Sequence, residues 1–489
     1  MDDSINYKLK IDFLISDNNT TSFSSSITLK PKLKKCVGCN QRRKHFNGNN
    51  QVCEICYRAT TIIQSGNKVI DDFIRYTLTN SSNIPIKMEF VSYDKFNDMK
   101  FISEGGFSKI YKATWIDGPI SRWNNEKQRY CRSGKMTVAL KELNNSKNIN
   151  SNELNELKLF YNFALNQKSH NNGDVGLGYI NKYFGITQNP VTLNFMIITK
   201  YYESGDLTNY ITKDFSKVSW HDKLGKLHYI ITGLKNIHEA NIIHKDFHSG
   251  NIFIYYHEAI TGDLGITKSA IESLNDDNEI YGVIPYVAPE VLEGQKYSKA
   301  SDIYSFGMIM WELMTGRRPF WDKNHDAELI IEICDGLRPP IVTNAPEGYI
   351  ELMQKCWHPD PNRRPTASDI FNIFWIFGKM RQYEYKNPTK IINSSLIGPI
   401  VTVNPGAIYK SRPLSTMIKS AESIKILRSQ NIISKFVKRK FIDNLLEDDN
   451  SKDKAVKKVK SMDYITEEIE TFSFQNFNRL LYINYCILG

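Results

Sequence analysis

Hydrophobic and polar positions divide this chain into a patterned middle and two polar ends. Phe195-Met196-Ile197-Ile198-Thr199 is an unbroken apolar, β-branched run, which predicts a buried strand. Asn152-Glu153-Leu154-Asn155-Glu156-Leu157-Lys158-Leu159-Phe160 is rich in Glu and Leu and predicts a helix. Its carboxylates, Glu153 and Glu156, fall about one turn apart, so spacing alone does not choose between them. Between Ile102 and Lys112 the pair Gly105-Gly106 predicts a turn between strands. Asp117 to Lys135, with Gly118, Pro119, Asn124, Asn125 and Gly134, is polar and turn-rich and predicts a lengthened hairpin connection rather than core. Residues 1–30 are rich in Asn, Ser and Thr, the composition of a flexible segment. After Lys379 the breakers Asn387-Pro388, Gly398-Pro399 and Asn404-Pro405-Gly406 precede Lys/Arg clusters mixed with Glu447-Asp448-Asp449, so residues 379–489 are expected to be a mostly flexible tail.

Composition sets the scale. A chain of 489 residues with 41% hydrophobic and 12% aromatic residues can bury a large core and has room for about two to four domains. The net charge of +10 is spread along the sequence, which favours solubility and weak attraction to acidic partners over a dedicated nucleic-acid surface. The polar start Met1-Asp2-Asp3-Ser4-Ile5-Asn6-Tyr7 carries no secretory or transmembrane signal, so a reducing, cytoplasmic setting is expected.

That setting changes the meaning of the cysteines. Of eight, four fall within 21 positions as Cys36-Val37-Gly38-Cys39 and Cys53-Glu54-Ile55-Cys56, with 13 residues between the pairs. Two such knuckles can close a tetrahedral zinc site, and metal is expected over disulfides. His45 is an alternative ligand, though a solvated loop histidine is the simpler role. A module over 31–62 is too small to bury much core and would depend on its metal. Gln41-Arg42-Arg43-Lys44-His45-Phe46 would suit nucleic acid, but docking on protein, a partner or the same chain, is the favoured reading. Cys486-Ile487-Leu488-Gly489 has the outline of a prenylation signal, yet terminal glycine is not a usual last residue, so membrane attachment is not expected.

The densest chemistry is His244-Lys245-Asp246-Phe247-His248-Ser249-Gly250-Asn251, followed twelve residues on by Asp263-Leu264-Gly265. Phosphoryl transfer to a hydroxyl needs a proton acceptor and hard oxygen ligands for magnesium. Asp246 can be the acceptor, and Asn251 and Asp263 supply such oxygens.

From about Tyr93 to Phe377 these residues, together with Val138-Ala139-Leu140-Lys141, Gly282-Val283-Ile284-Pro285-Tyr286-Val287-Ala288-Pro289-Glu290, Ser301-Asp302-Ile303-Tyr304-Ser305-Phe306-Gly307 and Cys356-Trp357-His358-Pro359-Asp360-Pro361-Asn362-Arg363-Arg364-Pro365, resemble the protein kinase catalytic domain. The resemblance implies an α+β, bilobal fold. A small antiparallel sheet lobe with one helix and a large helical lobe would hold ATP in the cleft between them. It makes Lys141 the phosphate anchor, paired with Glu156, and Asp246 the catalytic acceptor. It makes Asn251 and Asp263 magnesium ligands and Glu290–Arg364 a structural ion pair. Ile102, Gly105, Gly106, Ser108, Ile110, Ala139, Thr199, Tyr202 and Asp206 would line the ATP site. The implied layout is a linker, helical or extended, over 63–92 and a kinase domain over 93–378.

Departures matter too. Ser103 and Ser108 stand where the outer loop glycines are expected, Lys245 replaces arginine, and His248 replaces a lysine. The Asp-Phe-His-Ser-Gly-Asn pattern is most similar to tyrosine-kinase-like kinases of the expanded fungal type. Gly282 and Tyr286 resemble the serine/threonine form of the docking segment, which favours serine or threonine over tyrosine as acceptor, while Val283 in place of the expected threonine and His248 leave the hydroxyl class open. Protein substrates and a monomer or transient dimer are expected; a pseudokinase scaffold and a zinc-centred adaptor are the alternatives. A lysine cannot bind a phosphate bidentately as arginine does, which weakens control through a phosphorylated Thr267, Ser269, Ser273 or Tyr281.

Overall fold

The computed structural model describes residues 33–46, 51–80, 86–106, 108–149, 154–166, 179–264, 268–269, 279–374, 386, 388–390, 392, 395–400 and 404–446. Contacts divide the chain into one unit of residues 1–176 and 182–201 and another of 177–181 and 202–489.

In the first unit, β1 (Lys34–Lys35) pairs antiparallel with β2 (Arg42–Arg43), and α1 (Glu54–Thr60) follows Cys53. Next come α2 (Lys68–Asn80), β3 (Glu89–Phe90), β4 (Phe96–Glu104), β5 (Ser108–Trp115), β6 (Ile120–Asn124), β7 (Arg129–Arg132), β8 (Met136–Leu143), α3 (Asn155–Asn166), β9 (Tyr183–Gln188) and β10 (Phe195–Lys200). Six of these strands form one sheet in the order β3-β9-β10-β8-β5-β4. Every pairing in it is antiparallel except β3 with β9. The apolar run Phe195–Thr199 is buried throughout in β10, next to the central β8.

The stretch expected to link two domains is a packed element instead. α2 places Ile70, Phe73, Ile74 and Leu78 at helical spacing, and all four are buried. The Phe73 and Tyr76 rings meet the Tyr161 ring of α3 edge-on, with centroids 6.4 and 5.7 Å apart. The Tyr161 hydroxyl donates to the Thr77 carbonyl at 3.0 Å. From the other side, Arg43 of β2 donates to the Thr79 carbonyl at 3.0 Å. The polar Asp117–Lys135 stretch forms the hairpin β6–β7. Buried Glu89 anchors it by accepting from Arg132 at 2.6 Å and from the Ile120 amide at 3.2 Å. Arg58 of α1 stacks its guanidinium 5.1 Å from the Trp123 ring centre in the same hairpin.

The second unit is mainly helical. It contains α4 (Leu207–Asp214), α5 (Trp220–Glu239), β11 (Ile242–Ile243), β12 (Ile252–Tyr255), β13 (Glu258–Thr261), β14 (Lys268–Ser269), β15 (Tyr281–Gly282), α6 (Pro289–Leu292), α7 (Lys299–Thr315), α8 (Ala327–Cys334), α9 (Tyr349–Cys356), β16 (Arg412–Pro413) and α10 (Ser415–Leu446). α7 is the axis of its core, buried from Ser301 to Thr315. A capping box between Ser298 and Ser301 fixes its first turn. Residues 404–421, expected within a flexible tail, pack on this unit, because Leu414, Ile418 and Ala421 form an apolar stripe that joins its core.

Lys223 is the anomaly of that core. Its side chain is 1% exposed, its Nζ has no hydrogen-bond acceptor, and the Phe215 and Trp220 rings lie 4.1 and 4.8 Å away. Burial pushes its pKa down to about 7. Between pH 7 and the ordinary lysine range the unfolded chain therefore binds the extra proton, so stability rises with pH across that window. Lys223→Met should raise stability at pH 7 by about 1–3 kcal/mol, since the ring contacts offset only part of the desolvation cost. It should also flatten that pH dependence; thermal unfolding from pH 7 to 10 checks both.

Candidate functional site

In the first unit the residues expected around ATP sit on neighbouring strands. β8 runs between β5 and β10 with Ala139 opposite Lys112 and Thr199, and Lys141 opposite Ile110 and Ile197. Ile102 lies on exposed β4. The Gly105 amide donates to the Ser108 carbonyl at 2.8 Å and closes the turn, while the Gly106 carbonyl accepts from Asn144 at 3.4 Å. Lys141 Nζ lies 3.0 Å from Glu156 Oε2, and the Tyr183 hydroxyl donates to Glu156 Oε1 at 2.8 Å. Both oxygens of this buried carboxylate are thus held, and the lysine with them.

In the second unit the loop after β11 is set by one carboxylate. Asp302, 1% exposed near the start of α7, accepts from the backbone amides of His244 at 2.8 Å and Lys245 at 2.9 Å. The His238 imidazole of α5 lies 2.9 Å from the same group. His244 Nε2 in turn meets the Gly262 carbonyl at 3.0 Å, which ties the loop to the turn carrying Asp263. Lys245 and Asp263 both hold positive φ, +70° and +53°. Such strained conformers persist where surrounding bonds over-determine them.

Asp246 is buried, and Asn251 Nδ2 donates to its carbonyl at 2.9 Å and to its carboxylate at 3.3 Å. That leaves the Asn251 side-chain oxygen available as a hard ligand. His248 Nδ1 accepts from the Gly250 amide at 3.1 Å, and its Nε2 lies 3.5 Å from Asp246 Oδ2. Burial works to lower the His248 pKa, but the Asp246 charge outweighs it and raises it. Tyr202 stacks on Phe253 with centroids 5.4 Å apart and donates to Asn181 at 3.1 Å. Asp206 caps α4 by accepting from the Asn209 amide at 2.8 Å. Burial raises its pKa.

The four cysteine sulfurs all lie within 4.8 Å of one another. Cys36–Cys56 and Cys39–Cys53 are each 3.8 Å apart. A disulfide needs about 2.05 Å, whereas four thiolates about 2.3 Å from one tetrahedral zinc lie about 3.8 Å apart. The Gly38 and Cys53 amides donate to Cys36 Sγ at 3.3 and 3.1 Å. A Cβ at Gly38 would come within 3.1 Å of Cys56 Sγ. The site therefore fits zinc and not two disulfides.

The protein tyrosine and serine/threonine kinase profile matches residues 96–374, more than half of the chain. The chain belongs to the protein kinase family. Among its relatives, a serine/threonine-protein kinase/receptor of Acanthamoeba polyphaga mimivirus is 30% identical over 196 residues, 40% of this chain and 12% of that protein. A Dictyostelium discoideum serine/threonine-protein kinase is 27% identical over 315 residues, 61% of this chain and 16% of its own. The ephrin type-A receptor 5 of Rattus norvegicus is 32% identical over 187 residues, 36% and 18% respectively. The chain thus spans less than a fifth of the length of each. Among the described residues, no helix is long and apolar enough to cross a membrane.

The residues that position the 244–251 loop and Glu156 carry little signal in the sequence. Asp302 stood only as part of a helix start, although a carboxylate just inside a capped helix is a donor-seeking group. His238, Tyr183 and Glu312 carried no motif at all. Glu312 is buried, accepts from the Ser249 hydroxyl at 3.1 Å, and burial raises its pKa to about 7. Glu153, Gly265, Thr267, Ser273, Cys486 and the 1–30 stretch lie outside the described residues.

Glu290 and Arg364 form a bidentate pair, both contacts 2.7 Å, and Arg364 also donates to the Ala300 and His358 carbonyls at 3.0 and 2.8 Å. Glu290→Ala would strand a buried guanidinium, so a loss of about 3–5 kcal/mol is expected in urea unfolding. Glu290→Ala with Arg364→Met should recover much of it.

Proposed function

We propose that this chain is an ATP- and magnesium-dependent protein kinase of the tyrosine-kinase-like group, of the expanded fungal type, that phosphorylates serine or threonine in protein substrates. The closed Lys141–Glu156 pair, with Tyr183 on its second oxygen, is the observation that carries this reading. A lysine held at fixed position is what phosphate anchoring requires.

Asp246 takes the hydroxyl proton, its carboxylate oriented by Asn251 and faced by His248. Asn251 and Asp263 offer oxygens to magnesium, which when bound neutralises charge on the transferring phosphoryl group. The ATP-lining roles of Ile102, Gly105, Gly106, Ser108, Ile110, Ala139, Thr199, Tyr202 and Asp206 belong to the same proposal. Buried Tyr286, where a tyrosine-specific enzyme more often carries tryptophan, supports the serine/threonine preference. In this reading the enzyme works in the cytoplasm as a monomer or transient dimer. Its four-cysteine zinc module docks on its own chain through α2 and restrains α3.

Wild type should transfer labelled phosphate from ATP to a general protein substrate, yielding phosphoserine or phosphothreonine. Lys141→Met and Asp246→Asn should each reduce transfer by at least about a hundredfold. Background transfer in all three folded proteins would replace this reading by the scaffold one.

The zinc site has its own readout. One zinc per chain is expected by elemental analysis, with none in the Cys39→Ser/Cys53→Ser variant. Metal removal should lower the unfolding temperature of the module, because its fold is metal-linked.

A further inference from the structure

The segment expected to be a loose tail reaches the substrate-docking end of the activation segment. β16 pairs antiparallel with β15, setting Tyr281 opposite Pro413 and Gly282 opposite Arg412. The ladder continues on both sides of Ile280. Its carbonyl accepts from the Leu414 amide at 2.7 Å, and its amide donates to Ser415 Oγ at 2.9 Å. Immediately downstream, Val283, Ile284 and Val287 are buried in the core that also takes Leu414, Ile418 and Ala421.

This attachment is deep rather than incidental. Before β16, Arg317 Nε donates to the Gly398 carbonyl at 3.0 Å, Tyr409 donates to the Pro319 carbonyl at 2.9 Å, and His325 Nδ1 meets the Ile408 carbonyl at 2.9 Å. After it, α10 adds only the half-exposed ion pair of Lys425 with Asp335 at 2.7 Å. A peptide competing for the edge would have to expel Leu414, which is fully buried. Gly282 is packed so closely that a Cβ there would meet Val287 at 2.8 Å, so the docking loop has little slack of its own.

We propose that residues 412–418 are a positioning element for the protein substrate. By backbone pairing and burial they hold the docking end of the activation segment, Tyr281–Val287, in the form that accepts substrate. They also occupy the strand edge along which an extended peptide would otherwise add. The inference rests on the kinase reading of the site. It gives the loop a support built from packing, consistent with a lysine at position 245 where a guanidinium would have gripped a phosphate two-handed.

The test uses the full chain with Ser415→Ala, Leu414→Ala and, as a control far along α10, Arg428→Ala. Hydrogen exchange and steady-state kinetics are read together. Ser415→Ala should speed exchange around Ile280 and lower kcat/KM for a peptide about three- to tenfold, the worth of one hydrogen bond. The loss should fall on KM for the peptide with KM for ATP unchanged, whereas unfolding of part of the enzyme would lower kcat and leave both KM values where they were. Leu414→Ala should do more, and Arg428→Ala nothing. Higher peptide turnover in Ser415→Ala would overturn the proposal in favour of a competing strap. Faster exchange with unchanged kinetics, or no change in either, would overturn it as well. Should Leu414→Ala fail to fold, Ser415→Ala decides alone. Absence of transfer in wild type would instead sink the kinase reading, and the exchange difference at Ile280 would still be there to tell the two failures apart.

Discussion

A single buried carboxylate holds the 244–251 loop in shape. Asp302 takes the amides of His244 and Lys245 and faces the His238 imidazole, so the end of α5 and the following loop both converge on one side chain of α7. A carboxylate with that many donors is satisfied despite its burial, and removing it would orphan two backbone amides in the interior. The strained φ of Lys245 is affordable only because those amides are tied. From there the order propagates: His244 holds the Gly262 carbonyl, and the turn bearing Asp263 follows. The geometry of Asp246 is therefore decided at the start of a helix more than fifty residues away in sequence.

The parts of this design that could be read from the sequence are those where chemistry demands a particular side chain at a particular spacing. The structure brings together Lys141 with Glu156, Asn251 with Asp246, and the two Cys-x-x-Cys knuckles, all pairs within that class. Glu156 could not be separated from Glu153 by helical spacing, and it is Tyr183, distant in sequence, that makes Glu156 a two-sided partner.

Two apolar stripes were legible in principle and were outweighed by local composition. Ile70, Phe73, Ile74 and Leu78 follow the helical period, but they stood in what read as a connection. Leu414, Ile418 and Ala421 do the same behind a run of Pro and Gly breakers. Both stripes find their partners far along the chain, on Tyr161 in one case and on the core around α7 and α8 in the other. Turn chemistry shows where a chain bends; it does not show whether the next segment returns to a core.

The two footholds of the cysteine module carry a consequence for where the chain can be cut. Arg43 reaches the end of α2, Arg58 rests on Trp123 of the inserted hairpin, and α2 covers Tyr161 on α3. The motif-bearing region begins near residue 93, but a chain trimmed there would bare the ring of Tyr161 to water and leave its hydroxyl without the Thr77 carbonyl. The smallest piece that keeps that ring covered starts instead no later than α2, and the module's two footholds carry the packed unit on to the first knuckle, so the boundary drawn by catalytic motifs and the boundary drawn by solvent are different places.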